Sequence, residues 1–289
     1  MNTVVCVKQV ADIYIDNGYD PDTKGLVENG LVYTINPFDE IAVEEALRIR
    51  ERSGEGQVTV ISIGPSRVET VLRWCLAMGV DHAVHVMREA DHRPDPWGTA
   101  FLLSDSIGKM DYSLVLFGKK AIDHEMGQVG TFVAELLDLP VVTAVTHLDV
   151  SHAHEARVQR SLERGNREEV ICPIPAVFTV DKTLNKPRYP TFPDRKAAWA
   201  KPIEQVDGSE PREAPKMEVV QLAPPKLRPK KIISPDSNLS AADRIRFVMT
   251  GGMNQKKGGA VGGDPRQMAN AVFDFLKERN FIGKPSEKS

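Results

Sequence analysis

The stretch YSLVLFGKKAIDHEMGQVGTFVAELLDLP, residues 112–140, contains the signals that decide the fold. Its apolar run Leu114–Phe117 predicts a buried strand, which ends at Gly118. After a polar turn, Met126–Leu137 alternates apolar and polar residues at the spacing of a helix. The stretch therefore predicts a strand, a turn and a helix in direct succession.

The start of this helix has the composition of an anion site. Gly127, Gln128 and Gly130 stand where the free backbone N–H groups and the positive end of the helix dipole would face the turn. Such a turn suits a nucleotide phosphate. A tight connection whose glycines serve only packing explains the same residues equally well.

Repeated alternation of strands and helices extends over the first half of the chain. The predicted strands are Val4–Val10, Val58–Ile63, Ala83–Val86, Leu114–Phe117 and Val141–Leu148. The predicted helices are Asp39–Arg52, 67–78, the segment that begins at Asp95-Pro96, and Met126–Leu137. This order predicts an α/β fold with a mainly parallel sheet and helices on both faces. Ligands of such sheets bind at the carboxyl ends of the strands, so the turns near Val10, Gly64 and Gly118 should converge on one cleft.

The second half of the chain has a different character. We predict a hairpin, Arg157–Leu162 with Glu168–Cys172, and another central strand, Pro175–Asp181. Three irregular segments follow: Lys186–Pro193, an extended arm Ala214–Lys231 and a flexible loop Gly251–Gly263. The final helix, Arg266–Arg279, has an apolar stripe that must pack on a partner subunit or on its own domain.

Composition narrows the class of protein. The chain has 289 residues with a formal net charge of −3, which gives no electrostatic reason to expect a nucleic-acid partner. No apolar run approaches the roughly 20 residues that span a bilayer, and the first ten residues read as a strand rather than a signal peptide. Cys6, Cys75 and Cys172 are far apart within apolar runs, which is typical of buried thiols in a reducing compartment. We expect a cytoplasmic protein that does not span a membrane.

No signature of bond-making chemistry is present. The sequence contains no Walker A motif, no GxGxxG after a strand, and no HExxH, GxSxG or paired CxxC. Glu44 and Glu45 read as a solvated helix face, and His124 as either a ligand contact or a solvated loop residue. The other histidines considered read as strand-end or surface residues: His82, His85 and His92. The sequence predicts a nucleotide binder without a nucleophile, an acid–base pair or a metal site.

Five blocks of sequence resemble the electron transfer flavoprotein β subunit in order and spacing. They are VKQVAD at 7–12, NPFDEIAVEEALRIRE at 36–51, SIGPSRVETVLRWCLAMGVD at 62–81, GKKAIDHEMGQVG at 118–130 and DKTLNKPRYPTFPD at 181–194. The resemblance covers about residues 1–205. It implies a Rossmann-like, adenine nucleotide α-hydrolase-like core at 1–205 with a recognition loop at 182–196. Residues 206–289 would form an extended arm, an insertion and a terminal helix that contacts the partner subunit.

The resemblance also implies a function. Members form a heterodimer with an α subunit, which holds most of the FAD. The FAD accepts electrons from a flavoprotein dehydrogenase and passes them to a downstream acceptor such as a quinone-linked oxidoreductase. The β cleft of ordinary members holds AMP, whereas in electron-bifurcating members it holds a second FAD that oxidises NADH. Three hypotheses remain: an electron carrier, a bifurcating NADH oxidoreductase and a stand-alone nucleotide-binding regulatory module.

Family likeness points to the residues that line the nucleotide cleft. They are Cys6, Lys8, Asn36, Gly64, Ser66, Asp123, Met126, Gly127, Gln128 and Val129. In the loop, Gly127–Gly130 follows the bifurcating pattern, but His124, Met126 and Thr131 depart from it. We expect AMP and keep a second FAD as the alternative.

The recognition loop departs from the family at its anchor. Phe192 stands where leucine is usual, and Tyr189 and Lys196 flank it as partner-binding residues. The aromatic anchor suggests a dehydrogenase other than the usual acyl-CoA type, unless Phe192 folds onto its own domain. Residues 237–263, with a helix at Ala241–Met249, read as an insertion that contacts the α subunit, covers the nucleotide or adds a partner contact.

Overall fold

A nine-stranded sheet forms the centre of the first unit of the chain. The computed structural model describes residues 1–12, 19–20, 25–26, 30–88, 94–152, 154–208, 217, 235–236, 238–249 and 263–278. The chain divides into two units, Met1–Pro224 and Pro225–Ser289. The large sheet has the order β11-β10-β9-β12-β8-β1-β6-β7-β13.

The strands of this sheet are β1 (Thr3–Cys6), β6 (Val58–Gly64), β7 (His82–Met87), β8 (Leu114–Gly118), β9 (Val141–His152), β10 (Glu155–Ser161), β11 (Arg167–Pro173), β12 (Ala176–Val180) and β13 (Glu204–Asp207). Strands β9 to β11 pair antiparallel, and every other pair is parallel. Two-stranded sheets are formed by β2 (Gln9–Ala11) with β5 (Tyr33–Ile35), and by β3 (Tyr19–Asp20) with β4 (Gly25–Leu26). The predicted mainly parallel α/β sheet, the hairpin and the central strand at 175–181 are confirmed.

Helices pack on both faces of the sheet. Those of the first unit are α1 (Pro37–Ser53), α2 (Glu69–Met78), α3 (Pro96–Ile107), α4 (Val129–Leu136) and α5 (Phe192–Ala198). Neighbouring residues of β1 face opposite ways: Val5 packs in the cluster of α1 and α2, and Val4 in that of α3 and α4. Both faces of the central strands are therefore buried, which is why these strands read as continuous apolar runs.

Three helix ends lie where the sequence predicts them. Gly54 and Gly79 adopt left-handed φ values of 71° and 114° at the ends of α1 and α2. Asp95 accepts a hydrogen bond from the Gly98 N–H at the start of α3. The predicted ends of the helices at 39–52 and 67–78 and the predicted start of the helix at Asp95-Pro96 are therefore confirmed.

Three predicted element boundaries are wrong. The strand predicted at Val141–Leu148 continues to His152 as β9. The strand predicted at Val4–Val10 ends at Cys6, because the Lys8 N–H donates to the Asp39 carboxylate and leaves the sheet. The helix predicted from Met126 begins only at Val129, because Gly127 has a φ of 61° that a helix does not accept.

Two acids predicted to form a solvated helix face, and one histidine predicted to lie at a strand end or on the surface, are buried. Glu44 and Glu45 of α1 are almost inaccessible, and His85 is completely buried inside β7. His85 Nε2 lies 2.8 Å from the Gly64 carbonyl oxygen. Hydrophobic periodicity could not reveal that these side chains are buried, because some of the groups that form hydrogen bonds with them come from distant parts of the chain. His92 lies outside the described residues.

The predicted irregular segment at 186–193 ends in a helix. Thr191 and Asp194 form a capping box at the start of α5, with Phe192 and Pro193 as its first residues. The predicted arm at 214–231, except Met217, and the predicted loop at 251–262 lie outside the described residues.

The second unit contains the two predicted C-terminal helices, α6 (Ala241–Met249) and α7 (Pro265–Glu278). Met268, Val272 and Phe273 of α7 are exposed. Within the part of the chain described, no helix combines the length and apolar character needed to cross a bilayer.

The core of the sheet should tolerate truncation much less than the surface. Phe178 of β12 is fully buried, so Phe178→Ala should lower the free energy of unfolding by about 3–5 kcal/mol. The matched control is Phe192→Ala, which removes an exposed ring and should change it by less than about 0.5 kcal/mol. Urea unfolding followed by circular dichroism measures both, and equal effects would contradict this description of the core.

Candidate functional site

The predicted cleft lies where three neighbouring parallel strands end. Strand β1 lies between β8 and β6, with Cys6 opposite Phe117 on one side and Ile61 on the other. The segments after these strands are therefore brought to the same edge of the sheet, as the sequence predicts. Side-chain hydrogen bonds then join the segments to one another.

A buried carboxylate joins the ends of β1 and β8. Asp39, in the first turn of α1, accepts hydrogen bonds from the backbone N–H of Lys8 at 2.8 Å and of Gly118 at 3.1 Å. The side-chain amide of Asn36 donates to it at 2.9 Å. A Cβ on Gly118 would overlap this carboxylate and Phe38, so glycine is needed for this close approach.

Burial raises the pKa of Asp39 to about 7, although the hydrogen bonds from Asn36, Lys8 and Gly118 oppose that rise. Desolvation of the charged form is the larger effect because the carboxyl group is fully enclosed. The sequence pattern did not mark this residue as part of the site and placed it only at the start of the predicted helix Asp39–Arg52. Its position three residues after Asn36, at the start of a helix with Pro37, was the available signal.

Asn36 orders the turn that follows β8. Its side-chain N–H donates to the Lys120 carbonyl at 3.0 Å, and its side-chain oxygen accepts from the Ile122 N–H at 3.2 Å. Its own backbone N–H donates to the Lys8 carbonyl at 2.9 Å. One buried amide thus connects β1, α1 and the turn that leads into the glycine loop.

The turn after β6 is joined to the same region by Gln9. The Gln9 amide donates to the Arg67 carbonyl at 2.8 Å, and Arg67 Nε donates to Gln9 Oε1 at 3.1 Å. This pair holds the Ser66–Val68 turn beside the end of β1. Ser66 itself is exposed, and Gly64 provides the carbonyl that faces His85.

A small charged cluster lies at the mouth of the cleft. Lys8 Nζ lies 2.6 Å from Asp123 Oδ2, and His124 Nδ1 lies 3.2 Å from the same oxygen and 3.3 Å from Lys8 Nζ. Burial alone would raise the pKa of Asp123, but hydrogen bonds from His124 and Lys8 outweigh it and hold that pKa well below its ordinary value. Asp123 therefore stays ionised and orients Lys8.

Backbone donors follow this cluster a few residues further along the chain. The first intrahelical bond of α4 runs from the Phe132 N–H to the Gln128 carbonyl at 3.0 Å. The N–H groups of the first three helical residues, 129–131, have no acceptor among the described residues. Together with the dipole of α4 and the Lys8 ammonium, these donors can hold an anion.

The loop glycines have two different roles. Gly127 is exposed and has the left-handed φ that shapes the loop. Gly130 is buried, and a Cβ there would press on Thr179 and Phe117 at 2.9–3.3 Å. The packing explanation therefore accounts for Gly130, whereas Gly127 faces solvent.

Not every predicted cleft residue is joined to the others. Three of these residues are joined to one another. Lys8 pairs with Asp123, and the Asp39 carboxylate accepts hydrogen bonds from both Lys8 and Asn36. Met126, Gly127 and Gln128 form the exposed part of the loop, and Val129 is half-buried at its end. The Cys6 side chain is buried in the apolar layer with Ile61 and Phe117, and burial raises its pKa well above the ordinary value. All three cysteines are buried free thiols.

The predicted partner-binding residues lie on the segment that leads into α5. Tyr189 is 75% exposed and Phe192 78% exposed, and Lys196 is also exposed. The rings of Tyr189 and Trp74 pack in a T-shaped arrangement, with centroids 5.3 Å apart. Phe192 does not fold onto its own domain, which removes the alternative that the sequence left open.

Comparison with known proteins gives one consistent result. A family model described as the electron transfer flavoprotein domain matches residues 23–211. The chain is 43% identical over 192 residues to the electron transfer flavoprotein subunit beta of Thermoanaerobacterium thermosaccharolyticum, which covers 66% of this chain and 72% of that relative. It is 33% identical over 255 residues to the Bacillus subtilis subunit beta, covering 86% of this chain and 97% of the relative. The subunit beta of Sus scrofa is 36% identical over 208 residues, or 71% and 81% of the two chains.

Ionisation of Asp39 should make stability depend on pH. The folded protein retains a proton up to about pH 7 that the unfolded chain loses near the ordinary value of 3.8. The unfolded state therefore binds fewer protons, and this group's contribution to stability falls as pH rises from about 4 to 7. Relative to Asp39→Asn, which has no such proton, the wild-type free energy of unfolding should fall by up to about 4 kcal/mol over that range.

Denaturant unfolding at several pH values measures this difference. Asp105→Asn, on the exposed side of α3, is the control for removing one carboxyl charge. A constant difference between wild type and Asp39→Asn from pH 4 to 7 would show that Asp39 does not titrate there.

Proposed function

This chain belongs to the electron transfer flavoprotein β subunit family, and on that premise we propose that it carries electrons as one half of a heterodimer with an α subunit. The FAD is held mainly by the α subunit and supplies the redox chemistry when bound. This chain supplies two features: a surface that receives a flavoprotein dehydrogenase, and a cleft that binds a nucleotide. A quinone-linked oxidoreductase or a similar protein would accept the electrons downstream, and we place the heterodimer in the cytoplasm.

The cleft at the ends of β1, β6 and β8 is the proposed nucleotide site, with AMP as the preferred occupant. The observation that supports it is the combination of the Lys8 ammonium, oriented by Asp123, with the unpaired N–H groups at the start of α4. Both are suited to phosphate oxygens. Asn36 and Asp39 would hold this arrangement in place before the nucleotide binds, so little ordering would be required on binding.

A second FAD in this cleft, with NADH as its reductant, is the alternative. The exposed Gly127 and the half-buried Val129 favour it, because small side chains leave room for a pyrophosphate. Gly130 no longer supports it, since its packing on Thr179 and Phe117 explains the glycine. The stand-alone regulatory module is disfavoured by the exposed apolar side chains Phe192, Val272 and Phe273.

Co-expression with an α subunit from the same organism tests the proposal. We expect a yellow heterodimer that a flavoprotein dehydrogenase reduces. Extraction of the bound nucleotides followed by chromatography should give one FAD and one AMP per heterodimer. Two FAD and no AMP would replace the AMP assignment with the bifurcating alternative, and a chain that associates with no α subunit would contradict the proposed function.

Truncation of the proposed anchor should affect only the reaction with the dehydrogenase. Burying the exposed ring would contribute about 1.5–3 kcal/mol, so Phe192→Ala should lower kcat/KM for reduction by the dehydrogenase roughly tenfold or more. Flavin and nucleotide content should not change. Ile171→Ala, which shortens an exposed apolar side chain on the edge strand β11, is the control. Equal rates for wild type and Phe192→Ala would remove Phe192 from this role.

A further inference from the structure

A second large aromatic side chain is exposed at the far end of α5. Trp199 is 67% exposed and follows the last helical residue, Ala198, which is buried. Its φ of −66° and ψ of −25° continue the helical conformation. Trp199 follows Phe192 by seven residues, which is two helical turns. By helical geometry the two positions therefore lie on the same side of the helix, about 10 Å apart along its axis.

The C-terminal end of α5 is held by a single arginine of α2. One guanidinium nitrogen of Arg73 donates to the carbonyl oxygens of Ala198 and Trp199, both at 3.1 Å, and of Lys201 at 3.3 Å. The centre of the same guanidinium lies 5.0 Å from the centroid of the Trp199 ring. The indole is therefore held in position although most of its surface faces solvent.

Hydrogen bonds of Arg188 hold the segment that leads into the N-terminal end of α5. Arg188 donates from Nε to Glu44 at 2.8 Å and from its two terminal nitrogens to Glu51 at 2.6 Å and 3.0 Å. Hydrogen bonds from Arg188 and Arg48 keep the pKa of Glu44 below its ordinary value even though burial opposes them. The capping box of Thr191 then begins the helix directly after this anchored segment.

The charge of this face is positive. Arg195 and Lys196 are exposed between the two aromatic residues. The Arg195 guanidinium lies 5.6 Å from the centroid of the Trp74 ring, and neither side chain forms an ion pair with an acid among the described residues. The one acid of the helix, Asp194, is engaged in the capping box. A partner that covers the face must therefore offer an apolar pocket for two rings and carboxylates at its rim.

We propose that Phe192 and Trp199 form a two-point docking face for the electron-donating dehydrogenase, with Trp199 as its second anchor. The proposal rests on the proposed function, because it extends the surface that Phe192 begins. A second copy of this chain does not fit, since it would bring Arg195 and Lys196 against their own counterparts. The Trp199 ring, which is held against Arg73, loses little conformational freedom on binding, so most of its burial energy goes into affinity.

Steady-state kinetics of the complete heterodimer tests this inference. The probe is the dehydrogenase from the same organism that reduces the wild-type heterodimer, supplied with its own substrate. Trp199→Ala should raise the KM for the heterodimer roughly tenfold and leave kcat within about twofold, because it removes docking area and no redox group. Trp199→Phe should recover most of that affinity, and Ile171→Ala should match wild type.

Salt and stability measurements separate docking from a structural effect. The wild-type KM should rise with ionic strength, and the Arg195→Ala, Lys196→Ala double variant should show a weaker rise. Flavin content, melting temperature and direct reduction by dithionite should be the same for wild type and Trp199→Ala.

Each contrary outcome has a distinct meaning. An unchanged KM for Trp199→Ala, while Phe192→Ala raises it, overturns the second anchor and leaves the proposed function standing. A weaker heterodimer for Trp199→Ala overturns the inference in favour of contact with the α subunit. A KM that is independent of salt contradicts the proposed carboxylates at the rim of the dehydrogenase pocket. If no dehydrogenase reduces the wild-type heterodimer, the proposed function fails and the inference fails with it.

Discussion

The hydrogen bonds of the buried Asp39 carboxylate are the interaction on which the cleft depends. The ends of two parallel strands expose backbone N–H groups that no further strand can pair, and this carboxylate accepts from both Lys8 and Gly118. Burial of the charge is costly, which appears as a pKa raised to about 7. In return, the carboxylate pairs the N–H groups at both strand ends, and this gives the cleft a defined shape.

Helix α1 connects the cleft with the proposed docking face. Its first turn carries Asp39, and its middle carries Glu44 and Glu45, whose carboxylates receive Arg188, Arg48, Arg52 and Asn185. The backbone of residues 185–188 is thereby fixed on α1 immediately before α5. One helix therefore sets the position of both the proposed nucleotide loop and the segment that leads into α5. The ion pair between the buried Glu44 and Arg188 gives this arrangement a single geometry.

The prediction of the fold from sequence succeeded where the signal was local and repeated. Buried parallel strands require continuous apolar runs, and helix ends require glycines such as Gly54, so both could be read directly. The prediction failed where a residue's partner is distant in sequence. Glu44 occupies a position that helical periodicity predicts to be solvated. Its burial is favourable only because Arg188, 144 residues later in the chain, donates hydrogen bonds to its carboxylate.

What the sequence determined by itself is the alternation of strands and helices, and the edge of the sheet at which the turns after β1, β6 and β8 converge. Short-range physics is enough for these, because hydrophobic period, helix capping and backbone restriction act over a few residues. Only the tertiary structure decided that Asp39 closes the strand ends, that Gly130 serves packing, and that Arg73 holds Trp199 beside the anchor. Those outcomes depend on groups from separate segments meeting at hydrogen-bond distance, and no local pattern in the chain encodes such a meeting.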